Sequence, residues 1–186
     1  MRKTLCLAGL LALVTFPVAL VAQEGKNSIP NAQIDSETFI QHVLASQERR
    51  ENRRITEAQF IEMARDPQTI ILDARSRDRY EQMHIQGAKS LSFTDFTAES
   101  LAQIIPDKDT RILIYCNNNI ENSPIAFATK AAPASLNLST YTALYTYGYT
   151  NIYELGPIID PQISKIQFEG TLVPSHKIST EKNEIL

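Results

Sequence analysis

Two short apolar runs constrain this chain more than any other feature. Residues 69–73 (Thr-Ile-Ile-Leu-Asp) and 111–115 (Arg-Ile-Leu-Ile-Tyr) are continuous in hydrophobicity rather than alternating. Runs this short, rich in β-branched residues, suit strands covered on both faces, as in parallel sheets flanked by helices. The segments around them carry helical signals. Asp35 or Ser36 caps a helix with Phe39, Ile40, Val43 and Leu44 on one face, and Thr56 caps another through Ala64, broken at Asp66-Pro67. Ser76 opens a helix over 77–83, Gly87 turns the chain into a brief strand at 89–91, and Thr97 opens a helix that Pro106 stops. Further helices are expected from Ser123 to about Ala132 and over 140–147, with Pro133 between them, and a strand at 151–155. Strands alternating with helices give an α/β fold: a parallel sheet with helices on both faces.

The N-terminus reads as a segment removed on export. Arg2 and Lys3 precede an uncharged stretch from Leu5 that ends in the small residue Ala22, so residues 1–22 are expected to be a signal peptide. Leu20 is a poor residue for the cleavage motif, and an uncleaved anchor is the alternative, since about 18 apolar residues suffice to span a bilayer. The expected location is periplasmic or secreted, without stable membrane association after cleavage. Cleavage leaves 164 of the 186 residues, with 16 basic and 21 acidic side chains and a net charge of −5. That acidic balance argues against nucleic acid as a partner. Residues 23–54 read as a linker and an N-terminal helical arm ending in the basic cluster 49–54. Its plain reading is a solvated helix end, with cations at the negative pole of the dipole; the competing one is a docking patch for an acidic partner.

Loss of Cys6 with the signal leaves Cys116 as the single thiol, which excludes an internal disulfide and a thiolate metal cluster. His42 and His176 have no ligand company, and neither a metal nor a cofactor is expected. Cys116 follows the second apolar strand, and binding sites in open parallel sheets form at the carboxyl ends of strands. Asn117, Asn118, Asn119, Ile120, Glu121 and Asn122 come next, and Ser123-Pro124 reads as a cap and first position of a helix. Such a loop is expected to turn its free N–H groups, and the helix's positive end, toward the sulfur and so favour the nucleophilic thiolate. The three consecutive asparagines suit left-handed conformations in a tight cradle. A buried structural cysteine is the competing reading.

At this point the sequence resembles a known family. Leu72-Asp73-Ala74-Arg75-Ser76, then Tyr80-Glu81, then His84-Ile85-Gln86-Gly87-Ala88, is similar to the rhodanese signature LDxRxxxEYxxGHIPGA. Residues 147–155, from Tyr147-Gly148-Tyr149 to Glu154-Leu155, resemble the family's closing GYxNVYxLxGG. The resemblance covers about 55–156, with an insert around 131–140 expected to roof the site, and leaves 157–186 as a C-terminal extension. It implies a five-stranded parallel sheet and a catalytic cysteine, Cys116, on the loop after the fourth strand. That cysteine would take sulfane sulfur from a small donor and pass it to a thiol acceptor, with residues 117–123 holding the persulfide. Asp73, Arg75, Glu81 and His84 would support the site, Arg75 by pairing with a carboxylate such as Glu81.

The chain departs from the family in two ways: the stretch from Cys116 to Gly148 is longer than in a minimal rhodanese, which gives the insert, and the active-site loop is not the usual one. The family loop reads Cys-x-x-Gly-x-Arg-Ser, whereas this chain has Asn119 at the Gly position and Glu121 at the Arg position. A carboxylate there is expected to repel thiosulfate, leaving a persulfide or another weakly charged carrier as donor. The sequence therefore supports an exported sulfurtransferase. The alternative is a catalytically weak module that binds an unidentified protein partner. A Cys-x5-Arg phosphatase or arsenate reductase is excluded, because Asn122 occupies the required arginine position. Asn137-Leu138-Ser139 would be a glycosylation sequon in a eukaryotic secretory host. The tyrosines at 141, 145, 147 and 149 suit either a pocket mouth or core packing.

Overall fold

In the computed structural model, which describes Ile29 and residues 31–173, the two apolar runs lie side by side as β2 (Ile70–Asp73) and β5 (Ile112–Tyr115). Their register pairs Ile70 with Ile112 and Asp73 with Tyr115. β1 (Arg54–Ile55), β6 (Ile152–Leu155) and β4 (Lys89–Ser90) complete a five-stranded sheet in the order β1-β6-β5-β2-β4, every neighbouring pair parallel. The segment read as a secretory signal lies outside the described residues, as does His176. Among the described residues no helix is long and apolar enough to cross a membrane.

Successive strand residues point to opposite faces, so continuous apolar runs feed two cores at once. On one face Ile71, Leu113 and Tyr115 meet Phe60 of α2 (Glu57–Ala64), together with Ile85, Phe127 and Ile166. On the other, Leu72, Ile112 and Ile114 meet Leu101 of α4 (Ala98–Ile104) and Tyr141 and Leu144 of α5 (Leu136–Thr146). Tyr141 and Tyr149 are thus core residues, not a pocket mouth. Capping boxes at Thr56–Gln59 and Thr97–Ser100 start α2 and α4. Ser76 makes no side-chain cap to α3 (Arg77–Gln82), while Asp35 caps α1 (Ser36–Glu51) by accepting the Thr38 N–H at 2.9 Å.

The basic cluster divides: Arg49, Glu51, Asn52 and Arg54 are exposed at the helix end, as the plain reading expects, while Arg50 and Arg53 turn inward. Arg50 forks onto Glu154 of β6, with Nη2 2.7 Å from Oε1, and the two side chains are only 15 % and 4 % exposed. Arg53 lies over the Tyr153 ring, and Arg54 Nε stands 3.8 Å from the same Glu154 carboxylate. The arm, packed along α5, is clamped to β6 by charge rather than left in water.

The helix expected from Ser123 to Ala132 does not form. One turn closes, with Phe127 N–H donating to Ser123 O at 2.8 Å, but the backbone beyond it is claimed by side chains. The Ala126 carbonyl accepts from Arg75 at 2.8 Å and the Ile125 carbonyl from Arg79. Asn118 holds both the N–H (3.0 Å) and the carbonyl (2.8 Å) of Lys130. Tertiary hydrogen bonds override the local propensity here. Helix resumes only at Leu136, earlier than the expected residue 140.

Beneath this segment sits the most buried charge in the protein. Arg75 Nη2 lies 2.6 Å from Asp73 Oδ2 and also donates to Met83 O at 2.7 Å, and its guanidinium covers the Phe127 ring. Tyr115 Oη donates to the same Asp73 oxygen at 2.5 Å and accepts the Ile85 N–H. Burial first, and the Asp73 charge second, push the Tyr115 phenol well above its ordinary pKa. The expected partner Glu81 is not involved; it pairs with Arg77 on the exposed surface at 2.7 Å.

The C-terminal extension wraps the domain as far as residue 173. Ile159 and Ile166 are buried, and β7 (Phe168–Glu169) pairs antiparallel with β3 (His84–Ile85). Glu57 anchors the wrap, its Oε1 accepting from Ser164 Oγ and from Lys165 N–H, each at 2.7 Å. The Ser164 hydrogen bond, reinforced by the Lys165 and Ile166 amides, lowers the Glu57 pKa despite some desolvation.

Replacing Arg75 with Leu strands Asp73 in the core and is expected to cost about 3–5 kcal/mol, read as a lower urea midpoint; a loss under about 1 kcal/mol would contradict the anchoring role. A second expectation concerns acid. The folded pKa of Glu57 lies below its unfolded value, so its stabilisation is present above the ordinary carboxylate range and fades as pH falls through the folded pKa. Glu57→Gln should therefore flatten the acid limb of the stability curve, and an unchanged slope there would remove the anchor.

Candidate active site

β5 is the middle strand of the sheet, and Cys116 leaves its carboxyl end. The sulfur is buried, the residue being 0 % exposed. Sγ accepts the Asn118 N–H at 3.4 Å and lies 3.4 Å from Ser135 Oγ. Of the segment 131–140, Ser135 at the foot of α5 is the residue whose side chain reaches the sulfur. Asn117, Asn118 and Asn119 form a 3-10 turn rather than left-handed backbone, and the one non-glycine residue with positive φ is Asn122, at 57° among the described residues.

The cradle differs from the expected one. Asn119 N–H is spent on Cys116 O at 3.1 Å, and Ile120 N–H on Asn117 O at 3.4 Å. Glu121 N–H goes to Ile159 O at 3.0 Å, while Ile159 N–H returns to Asn119 O at 2.8 Å. No helix starts at Ser123, so the dipole expected from that segment is absent; the helix end that lies against the sulfur is the N-terminus of α5, through its N-cap Ser135. One main-chain amide, that of Asn118, addresses it. The Glu121 side chain is exposed and does not line the space beside the thiol, and Asn122 bonds Asp160 at 2.7 Å.

Side chains take over from the missing amides. Asn119 Nδ2 donates to Leu155 O at 2.7 Å, with a longer contact to Pro157 O, so its Oδ1 must be the acceptor. That oxygen receives Cys116 N–H at 2.9 Å and Asn137 Nδ2 at 2.9 Å. This fixes the Asn137 amide too, and leaves its Oδ1 without a partner although the residue is only 2 % exposed. A buried acceptor left unpaired costs about 1–3 kcal/mol. Burial also removes Asn137 as a glycan acceptor. Thr140 Oγ1, one turn further along α5, is likewise unpaired.

A cleft of about 230 Å³ opens beside this network, lined among others by Arg50, Arg54, Asn118, Ser135, Asn137 and Glu154. Ser135 belongs to both the cleft and the sulfur's shell. A larger, apolar cavity of about 690 Å³ between α1 and α5 is lined by no charged side chain, whereas the smaller cleft includes Ser135, which touches Cys116 Sγ. Asp73 and Arg75 support the loop from below, as described. His84 stacks on Tyr80, holds Tyr80 O at 2.7 Å and meets Glu169 at 3.1 Å, which makes it a fastener of β3 to β7. No group of three or more metal-ligating side chains occurs among the described residues.

Sequence reasoning missed Ser135, Arg54 and Glu154, and noticed Asn137 only as part of a sequon. The basic cluster was the available signal for Arg54. Nothing in the residue pattern announced that α5 would begin above the sulfur.

Solved structures similar to this chain include the BH2092 protein from Bacillus halodurans, at 18 % identity over 72 % of this chain and 88 % of that one, with a TM-score of 0.48. A rhodanese-like domain from Anabaena sp. is 16 % identical over 72 % of this chain and 91 % of its own, TM-score 0.49. A thiosulfate sulfurtransferase from Pseudomonas aeruginosa is 22 % identical over 69 % of this chain and 22 % of its own, TM-score 0.43. No curated protein matches the sequence. The Rhodanese-like domain model matches residues 56–155, which is more than half of the chain and spans β2, β5 and Cys116 alike, and the chain therefore belongs to the rhodanese-like domain family.

Proposed function

We propose that this protein is an exported sulfurtransferase that moves sulfane sulfur through a persulfide on Cys116. The observation that carries the reading is the position of Sγ: at the carboxyl end of the middle strand, facing a donated amide and adjoining a polar cleft. In the first step the Cys116 thiolate attacks the outer sulfur of a donor R–S–SH. A Cys116–S bond forms, the donor S–S bond breaks, and R–S⁻ leaves with the bonding pair. An acceptor thiolate then attacks the outer sulfur and releases Cys116 as thiolate. The sequence of steps consumes no oxidant, and attack by a thiolate needs no general base.

Thiosulfate is a poor donor in this reading, for a reason other than the exposed Glu121. It would place its sulfonate charge beside a sulfur whose polar contacts are one amide and one hydroxyl. A persulfide carries any charged groups farther away. Because the sulfur is covered, a donor reaches it only when Ser135 and the neighbouring residues 131–135 move aside.

A second reading, a rhodanese-fold module that binds a partner without turnover, is favoured by the complete burial of the thiol and the prior commitment of the loop amides. One experiment separates the two. Incubation with glutathione persulfide should add one sulfur to the protein by intact mass, mapped to Cys116 and absent in Cys116→Ser. A thiol that stays bare with every donor supports the binding module and ends the enzymatic reading.

A further inference from the structure

We propose that the cleft beside Cys116 is a recognition site for a small α-amino acid bearing sulfur, with Arg54 holding its carboxylate and Asn137 Oδ1 accepting from its ammonium group. The inference deepens the sulfurtransferase reading and rests on it for the identity of the reacting atom, but the binding site itself stands on separate observations.

The first is the orphaned acceptor. The hydrogen-bond chain from Leu155 O through Asn119 to Asn137 fixes each amide's orientation, so the unpaired atom of this cleft-lining residue is a buried oxygen. An oxygen in that position, on a residue 98 % buried by its 2 % exposure, asks for an N–H or O–H donor. The second is a cation that lines the same cleft. Arg50 is spent on Glu154 and Gln47. Arg54 is not: its side chain is 49 % exposed, its contact with Glu154 is a long 3.8 Å, and Nη2 alone donates, to Gly156 O at 3.2 Å. Nη1 and part of Nη2 remain free for an anion, which a guanidinium binds with paired hydrogen bonds. A donor and an anion on one small molecule describe an amino acid. The third is size. About 230 Å³ falls short of the roughly 300–1,000 Å³ of sites for drug-sized ligands, which favours a single amino acid over a tripeptide such as glutathione. The fourth is Ser135, which lines the cleft and touches Sγ, so a side-chain sulfur of a ligand seated there arrives at the group that covers Cys116. Cysteine persulfide combines all four features. Its outer sulfur passes to Cys116 as above, and cysteine thiolate is the leaving group.

The arm therefore supplies the cation that the loop lacks. A loop arginine would sit next to the reacting sulfur and select a compact dianion, whereas Arg54, which has no contact with the sulfur, selects a molecule with its anion several bonds away.

The test separates binding from transfer. S-methyl-L-cysteine, an unreactive probe, is titrated calorimetrically into the mature Cys116→Ser protein, beside its methyl ester and its N-acetyl derivative. The free amino acid should bind about ten-fold or more tighter than either blocked form. The preference over the ester should vanish in Arg54→Gln, an exposed substitution that leaves the core intact. Equal affinity for all three, no measurable binding, or an ester preference unmoved in Arg54→Gln would overturn the site. Sulfuration of wild-type Cys116 is followed in parallel by intact mass with cysteine persulfide and glutathione persulfide. Transfer from both at equal rates overturns the selectivity while sparing the transferase. Selective binding with no transfer from either keeps the amino-acid site and removes the transferase.

Discussion

The site hangs on the buried pair of Asp73 and Arg75. Parallel neighbours β2 and β5 end together, so Asp73 and Tyr115 emerge side by side at the rim where Cys116 begins its loop. A carboxylate in that place must be neutralised and fully hydrogen-bonded, and Arg75 does both while reaching across to Met83 and Ala126. The consequence is conformational. Residues 123–127 cannot run on as a helix, because a carbonyl the helix would need is held by the guanidinium. The loop that a consensus rhodanese pattern would fold as a cradle at a helix mouth becomes an irregular strap laid over a charged floor.

Once the strap is fixed, asparagine chemistry replaces backbone chemistry. Asn118 closes onto Lys130, and Asn119 joins the Cys116 amide to the end of β6, each using both ends of its side-chain amide. A glycine at position 119 would make none of these bonds. In place of the glycine of the family pattern, this chain's asparagine takes the Cys116 amide as its own donor and joins it to Asn137. The same substitution that removes the conventional cradle thus creates the Asn119–Asn137 relay and its unpaired oxygen.

Much of this architecture was legible in the sequence, for physical reasons that identify what was not. The continuous runs at 69–73 and 111–115 showed two covered faces, and the observed cores divide along those residues. Capping at Thr56 and Thr97 is local and was readable. The strap was not: Ser123-Pro124 is a sound helix start, and only the remote Arg75, Arg79 and Asn118 overrule it. The same limit applies to Arg75, whose partner stands two residues away at Asp73 and not at the Glu81 that motif spacing suggested. For the candidate site, Cys116 and its strand end were visible. Ser135, Asn137 and Arg54 come together only because α1 and α5 pack over one end of the sheet.

The covered sulfur sets the kinetic character that any chemistry here must have. If Ser135 leaves the sulfur only part of the time, the observed rate of persulfide formation is the intrinsic rate multiplied by the open fraction. A ligand that contacts the closed and open forms equally cannot change that fraction, however tightly it binds. Arg54 and Asn137 both line the cleft, from β1 and from α5, and the second sits at the start of α5, two residues after Ser135. A molecule held between them touches the very helix end that carries the cover, so its binding energy has a route to the opening step. Donors that reach the sulfur without engaging both residues have no such leverage. On the proposed reading, burial of the thiol would tie its exposure to recognition of the donor.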